Sequence, residues 1–186
     1  MEEGILSRES VEYAEILSEV FAALVTRSIG RGAADPEYGL THALADCLQF
    51  IYLHGTCSVG RIAEGLSISE PAASQLVDRL ARGGLVVRSE SERDRRLTNV
   101  SLTGKGMEAA SRNKTARQEA FIRVFDRVSP EIRRAFVESR EAFLAVALGD
   151  EEEIEKFCAR CGIDHVAFCV LNRIHQTMTG AQIESY

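Results

Sequence analysis

The sequence predicts a mainly helical protein carrying one small β-hairpin, and three observations lead there. Trp is absent, Pro occurs three times and aromatic residues make up only 6% of the chain, while Ala, Leu, Val, Glu and Arg recur throughout, the profile of a helical protein. Apolar residues return at three- and four-residue intervals over most of the length. Strand character is confined to two short stretches flanking the polar, charged segment 89–96.

The elements follow in order. From Ser7 to about Ser28, the residues Tyr13, Ile16, Leu17, Val20, Phe21, Leu24 and Val25 form one stripe, an amphipathic helix that needs a partner surface. Residues 30–36, with two glycines and Pro36, are a breaker cluster. Leu40 to His54 is a second helix, with Leu44, Cys47, Leu48, Ile51 and Tyr52 on its stripe and Gly55 closing it. Ser58 to Leu66 is a short helical run, and Ser67-Ile68-Ser69 is a tight connection whose Ser69 caps the next helix. Pro71 sits in that helix's first turn, where its missing N–H costs nothing. Ala73, Leu76, Val77 and Leu80 form its buried stripe; Ala72, Ser74, Gln75, Asp78, Arg79 and Arg82 face outward, and Gly83-Gly84 ends it. Leu85-Val86-Val87-Arg88 and Leu97 to Leu102 read as the strands of a hairpin with a basic tip. Thr103-Gly104-Lys105-Gly106 opens a long helix running to about Val128, and Ser129-Pro130-Glu131 starts another that continues to about Leu148. Two short helices around a three-residue turn, followed by a hairpin, make a winged helix-turn-helix.

Composition narrows the function. The 186 residues, 45% hydrophobic, suffice for one core with a small appendage, which excludes disorder as a class. The acidic start lacks the basic region and apolar run of a secretory signal, and no stretch reaches membrane-spanning length, so a cytoplasmic protein is expected. Net charge is −6, but residues 58–117 alone carry 11 basic and 7 acidic side chains. One basic segment on an acidic body suits a protein that meets phosphate with one face. No nucleophile motif, phosphate-binding glycine loop or separate acid/base pair is evident, so no enzyme is expected.

The order of these pieces, with Arg61-Ile62-Ala63-Glu64-Gly65-Leu66, Leu76-Val77-Asp78-Arg79-Leu80, Gly84-Leu85-Val86, Asp94-Arg95-Arg96 and Val100-Ser101-Leu102-Thr103-Gly104-Lys105-Gly106, resembles the MarR family of bacterial transcription regulators over roughly residues 8–148. The residues themselves agree. Ser69, Ala72, Ser74, Gln75 and Arg79 are short, or able to pair with base edges, and Gln75 suits bidentate reading of adenine. Arg93, Arg95 and Arg96 at a hairpin tip suit a narrow minor groove. The resemblance implies that Asp94 orients the wing arginine and that Arg96, with Arg95 beside it, touches double-stranded DNA. It also implies a homodimer, formed by the first helix and the last two across a two-fold axis and reading a near-palindromic operator. Val124, Phe125, Val128, Phe136, Phe143, Leu144 and Val146 are too many apolar positions for one thin helical pair to hide alone. Gln75 departs from the family, many of whose members have a basic residue there, so sequence preference does not carry over.

Beyond the resemblance lies a cysteine- and histidine-rich tail. Cys158, Cys161, His165 and Cys169 fall within twelve residues, and His175 follows. A Cys-x-x-Cys-Gly turn lets two thiolates face one metal, and Asp164 is placed to cap a helix that sets His165 and Cys169 one turn apart. Zinc is the expected metal, with His175 as a competing ligand; an iron–sulfur cluster, a dithiol switch between Cys158 and Cys161, and plain buried residues stay open. Cys47 and Cys57, with His42 and His54, read as core or surface filler. The organisation expected is dimerisation helices at 1–38 and 104–148, a DNA-reading unit at 39–103 and a tail at 149–186. The function expected is a regulator responsive to a small-molecule effector, a metal or an oxidant. The alternative is a metal-dependent redox or gas-sensing protein in which the tail is the active element and the winged helix a protein-interaction module.

Overall fold

In the computed structural model the structure describes residues 8–26, 38–90, 98–158 and 169–181. Eight helices and three short strands are found among them: α1 Arg8–Leu24, α2 His42–His54, β1 Cys57–Ser58, α3 Val59–Gly65, α4 Glu70–Arg82, β2 Val86–Glu90, β3 Thr98–Leu102, α5 Gly104–Phe125, α6 Pro130–Ala147, α7 Glu151–Cys158 and α8 Val170–Thr179. None of these helices is long and apolar enough to cross a membrane.

Hydroxyls set the helix starts. Thr41, Ser58, Ser69, Thr103 and Ser129 each occupy an N-cap in extended backbone and accept a hydrogen bond from the amide three residues on. Pro71 and Pro130 lie in the first turns of α4 and α6, as the sequence predicts.

The sheet differs from the expected two-stranded hairpin. β2 and β3 pair antiparallel, Val86 opposite Leu102 and Arg88 opposite Val100, and β1 adds a third strand on the far side of β3, with Cys57 opposite Val100. A two-residue strand carries no alternation for a sequence pattern to display, so β1 is invisible until β3 supplies its partner.

The core gathers around α2, which is buried on almost every side: Leu44, Ala45, Cys47, Leu48, Gln49, Phe50 and Ile51 are all inside. Ile62 and Ala63 of α3, Ala73, Val77 and Leu80 of α4, and Leu85, Val86 and Val100 of the sheet close over it. Leu76, expected inside, is only half-buried. On the other side α5 presents a stripe of small residues, Gly106, Ala109, Ala110 and Asn113, which lets the two helices approach closely. Burying each Leu or Ile here contributes about 1.5–3 kcal/mol.

α1 and α6 contain no buried residue at all. Phe21, Phe121, Phe125 and Phe136 form an aromatic cluster joining α1, α5 and α6, and the guanidinium of Arg140 lies 4.3 Å from the Phe21 ring and 3.3 Å from that of Phe136. Outside that cluster the apolar stripe of α1 stands open, with Tyr13, Ile16, Leu17 and Val20 exposed, as are Phe143 and Val146 of α6, at 72% and 83%. α7 and α8 build a satellite core of Leu148, Ile154, Cys158, Cys169, Leu171 and Ile174, tied to α6 by an ion pair of 2.6 Å between Arg173 and Glu141.

Candidate nucleic-acid interface

The site is built on α4. Its inward stripe of Ala73, Val77 and Leu80 locks the helix onto the core, which leaves Gln75, Arg79 and Arg82, spaced four and three residues apart, on one exposed ridge. Ser69 is exposed at the N-cap, its hydroxyl oxygen 3.4 Å from the amide nitrogen of Ala72. Ala72 and Ser74 lie half-buried on the two flanks. Arg82 Nε approaches the carbonyl of Asp78, one turn back.

The C-terminal end of α4 is fastened to the sheet and to α5. Gly84 turns the chain at φ 70°, conformational space that L residues with a side chain rarely enter. The ammonium of Lys105 donates to the carbonyl of Gly83 at 3.1 Å, placing a positive charge at the negative end of the helix. Thr103 holds both sides of this junction: its amide donates to the carbonyl of Leu85 at 3.0 Å, its hydroxyl donates to the carbonyl of Gly84 at 2.7 Å, and the same oxygen caps α5. The position and tilt of the exposed ridge are thereby set by bonds to the carbonyls of Gly83, Gly84 and Leu85.

Beside the ridge runs β2. Val86 is buried and the remaining residues of the strand are exposed, so the strand leaves the core as it travels toward the wing tip. Arg88 turns back to α4 and pairs with Asp78 at 2.8 Å. Sequence reasoning passes over Arg88, although the two-residue period of a strand starting from buried Val86 was a signal for it. Arg93, Asp94, Arg95 and Arg96, the wing residues expected to meet DNA, lie outside the described residues.

The tail departs from its sequence reading at Cys169. Cys169 has extended backbone and stands as the N-cap of α8, not inside a helix as expected; Asp164, expected to cap that helix, lies outside the described residues. His175 is buried, its Nδ1 3.0 Å from the carbonyl oxygen of Ala181 and its Nε2 3.3 Å from a carboxylate oxygen of Glu151. His175 thus packs between α7 and the end of α8, with Ala181 and Glu151 within hydrogen-bond reach of its two ring nitrogens. Cys158 and Cys169 do come together in the same satellite core, neither in a disulfide. Cys161 and His165 lie outside the described residues, and no cluster of three potential ligands occurs among those described.

Cys47 and Cys57 sit deep in the main core. Burial, with the neighbouring Cys57 and Asp46 adding to it, pushes the Cys47 thiol up to about 12, and burial pushes Cys57 up to about 11. Both therefore stay protonated and unreactive at neutral pH, consistent with their reading as core filler. His54, against the Phe50 ring at 4.3 Å, is held below the ordinary imidazole range by burial and by nearby Arg61.

Residues 38–97 match the model of the MarR family. The chain is 34% identical over 68 residues to the HTH-type transcriptional repressor MdtR of Bacillus subtilis, a match covering 37% of this chain and 44% of that protein. It spans less than two thirds of the length of the curated relatives it matches. Among solved structures, a MarR family protein from Bacillus stearothermophilus superposes with a TM-score of 0.61 at 24% identity, covering 75% of this chain and 96% of the other. A MepR–DNA complex from Staphylococcus aureus superposes at 0.55 with 21% identity, covering 69% and 96%. These likenesses establish a winged helix-turn-helix fold with long flanking helices.

Proposed function

We propose that this chain, whose residues 38–97 match the MarR family model, is a DNA-binding transcriptional regulator, and not an enzyme, that reads a near-palindromic operator as a homodimer. The observation that carries the proposal is the exposed ridge of Gln75, Arg79 and Arg82 on a helix whose C-terminal end is fastened to the sheet and to α5. Its side chains suit base edges and phosphates, and the relatives that share its fold include a repressor and a protein solved with DNA. In this reading residues 39–103 form the DNA-reading unit, with Ser69, Ala72, Ser74, Gln75 and Arg79 from α4 and Arg93, Asp94, Arg95 and Arg96 from the wing. Residues 1–38 and 104–148 join two copies; the bare apolar faces of α1 and α6 support that role. Two recognition helices then meet half-sites about 34–36 Å apart, and an effector that changes that separation relieves repression.

The test is selection of duplexes from a random-sequence pool, followed by titration of the retained duplex at several salt concentrations. Arg79→Ala is expected to weaken binding about tenfold, and Gln75→Ala to relax preference at one base position. A pool from which nothing is retained, or variants that bind as the parent does, would overturn the reading.

The tail supports a second element of the proposal. The shared burial of Cys158 and Cys169 at the two ends of residues 159–168 favours a site completed by Cys161 and His165. That thiolate-rich set fits zinc, which would clip α7 to α8. Protein purified without oxygen is expected to carry one zinc per chain; iron with acid-labile sulfide would make the tail a redox or gas sensor, and metal-free protein would remove the site.

A further inference from the structure

Arg88 connects α4 to β2, the strand that leads toward the wing. β2 leaves the core at Val86, and the strand period turns Arg88 to the same face, opposite Val100 of β3. Its Nη2 lies 2.8 Å from Oδ1 of Asp78 and 3.4 Å from both the carbonyl oxygen and the hydroxyl oxygen of Ser74. Ser74 and Asp78 are one turn apart on α4, so one guanidinium binds two successive turns of that helix to the strand leading to the wing. Asp78 also lies beside Arg79 and Arg82 on the outward side, where an unpaired carboxylate would repel phosphate.

We propose that Arg88 and Asp78 form a clasp that fixes the angle between the recognition helix and the wing, and that Arg88 is a positioning residue acting through α4 without touching DNA itself. The inference rests on the reading of α4 as the DNA-reading helix. The side chains of Arg88 and Asp78 are 35% and 53% exposed, so the pair adds little to folding, and its loss loosens the geometry while the core stays intact. Ser74, its hydroxyl oxygen accepting from Arg88, supports the clasp and keeps its own O–H to donate to a base edge.

The experiment compares Arg88→Ala, Asp78→Asn and the double variant on a duplex selected from a random-sequence pool by the unaltered protein. It also follows amide exchange of β2 and β3 without DNA. Each single variant is expected to bind about tenfold more weakly, and the double variant no more weakly than either, because the two residues act as one unit. The slope of log affinity against log salt stays unchanged, and both single variants show faster exchange in β2. A slope reduced by about one unit in Arg88→Ala, with Asp78→Asn binding as tightly as the parent, would make Arg88 a phosphate contact and overturn the clasp. Additive losses or unaltered exchange would overturn it too. If the unaltered protein retains no duplex, the DNA-reading proposal fails while the exchange measurement still decides the clasp.

Discussion

Two glycines at the start of α5 give opposite expectations, and the difference tests how tightly the DNA-reading unit is bolted to the flanking helices. A Cβ on Gly106 would fall inside the carbonyl group of Leu85, a backbone atom that no side-chain rotation can move. A Cβ on Gly104 meets nothing within 4 Å, and its backbone is not left-handed. Gly106→Ala must therefore push α5 away from the α4–β2 junction, straining the bonds from the Thr103 amide to Leu85, the Thr103 hydroxyl to Gly84 and Lys105 to Gly83. Three weakened hydrogen bonds at roughly 1 kcal/mol each, with about 1–3 kcal/mol of overpacking, set against about 1 kcal/mol gained from better helix propensity, give a loss of roughly 3–5 kcal/mol. Gly104→Ala should instead stabilise by about 0.5–1 kcal/mol. Urea unfolding followed by circular dichroism, with all proteins at one concentration because association contributes, measures both. For a chain of this length the loss corresponds to a fall in Tm of about 6–20 °C. A Gly106→Ala protein within about 0.5 kcal/mol of the parent, or a Gly104→Ala protein equally damaged, would refute the junction as a rigid contact.

Other outcomes follow from the same structure. Cys47 and Cys57 keep their protons in the native state up to about 11–12, whereas an unfolded thiol ionises near 9.0, so stability is flat below pH 9 and falls above it. The slope is about 1.4 kcal/mol per pH unit for each thiol, and iodoacetamide at pH 8 should label neither until the protein unfolds. His54 has the opposite sign: its native pKa lies below the unfolded 6.5, so stability is full above that pH and declines below it, a decline that His54→Phe should reduce. Replacing exposed Phe143 and Val146 together by Glu should leave the winged helix folded but shift sedimentation from dimer to monomer. Sedimentation unchanged by that replacement would place the interface elsewhere.

Much of this molecule was legible in its sequence because its punctuation is local. Ser69, Thr103 and Ser129 cap helices where a hydroxyl precedes an apolar stripe, and Gly55 and Gly83-Gly84 end them. The exposed ridge of α4 follows from its 3.6-residue period alone. What depended on distant partners was hidden: β1 exists through Val100, and the engagement of Ser74 by Arg88 depends on how two elements meet fourteen residues apart. The same holds in the tail, where the local spacing of Cys and His gave no sign that His175 packs between Glu151 and Ala181. Spacing reports which donors are near in sequence; it does not report which of them already have partners.

The junction at Thr103 also makes α5 a lever. The helix is 22 residues long, roughly 33 Å at 1.5 Å per residue, and its first turn is fixed to the end of α4 while its last turn lies among the phenylalanines shared with α1 and α6. If the far end is held and the helix tilts by about five degrees, the DNA-facing end swings by roughly 3 Å, close to the 3.4 Å rise of one base pair. A repacking of those rings that tilted α5 by that much would be geared up to a full step of a bound duplex.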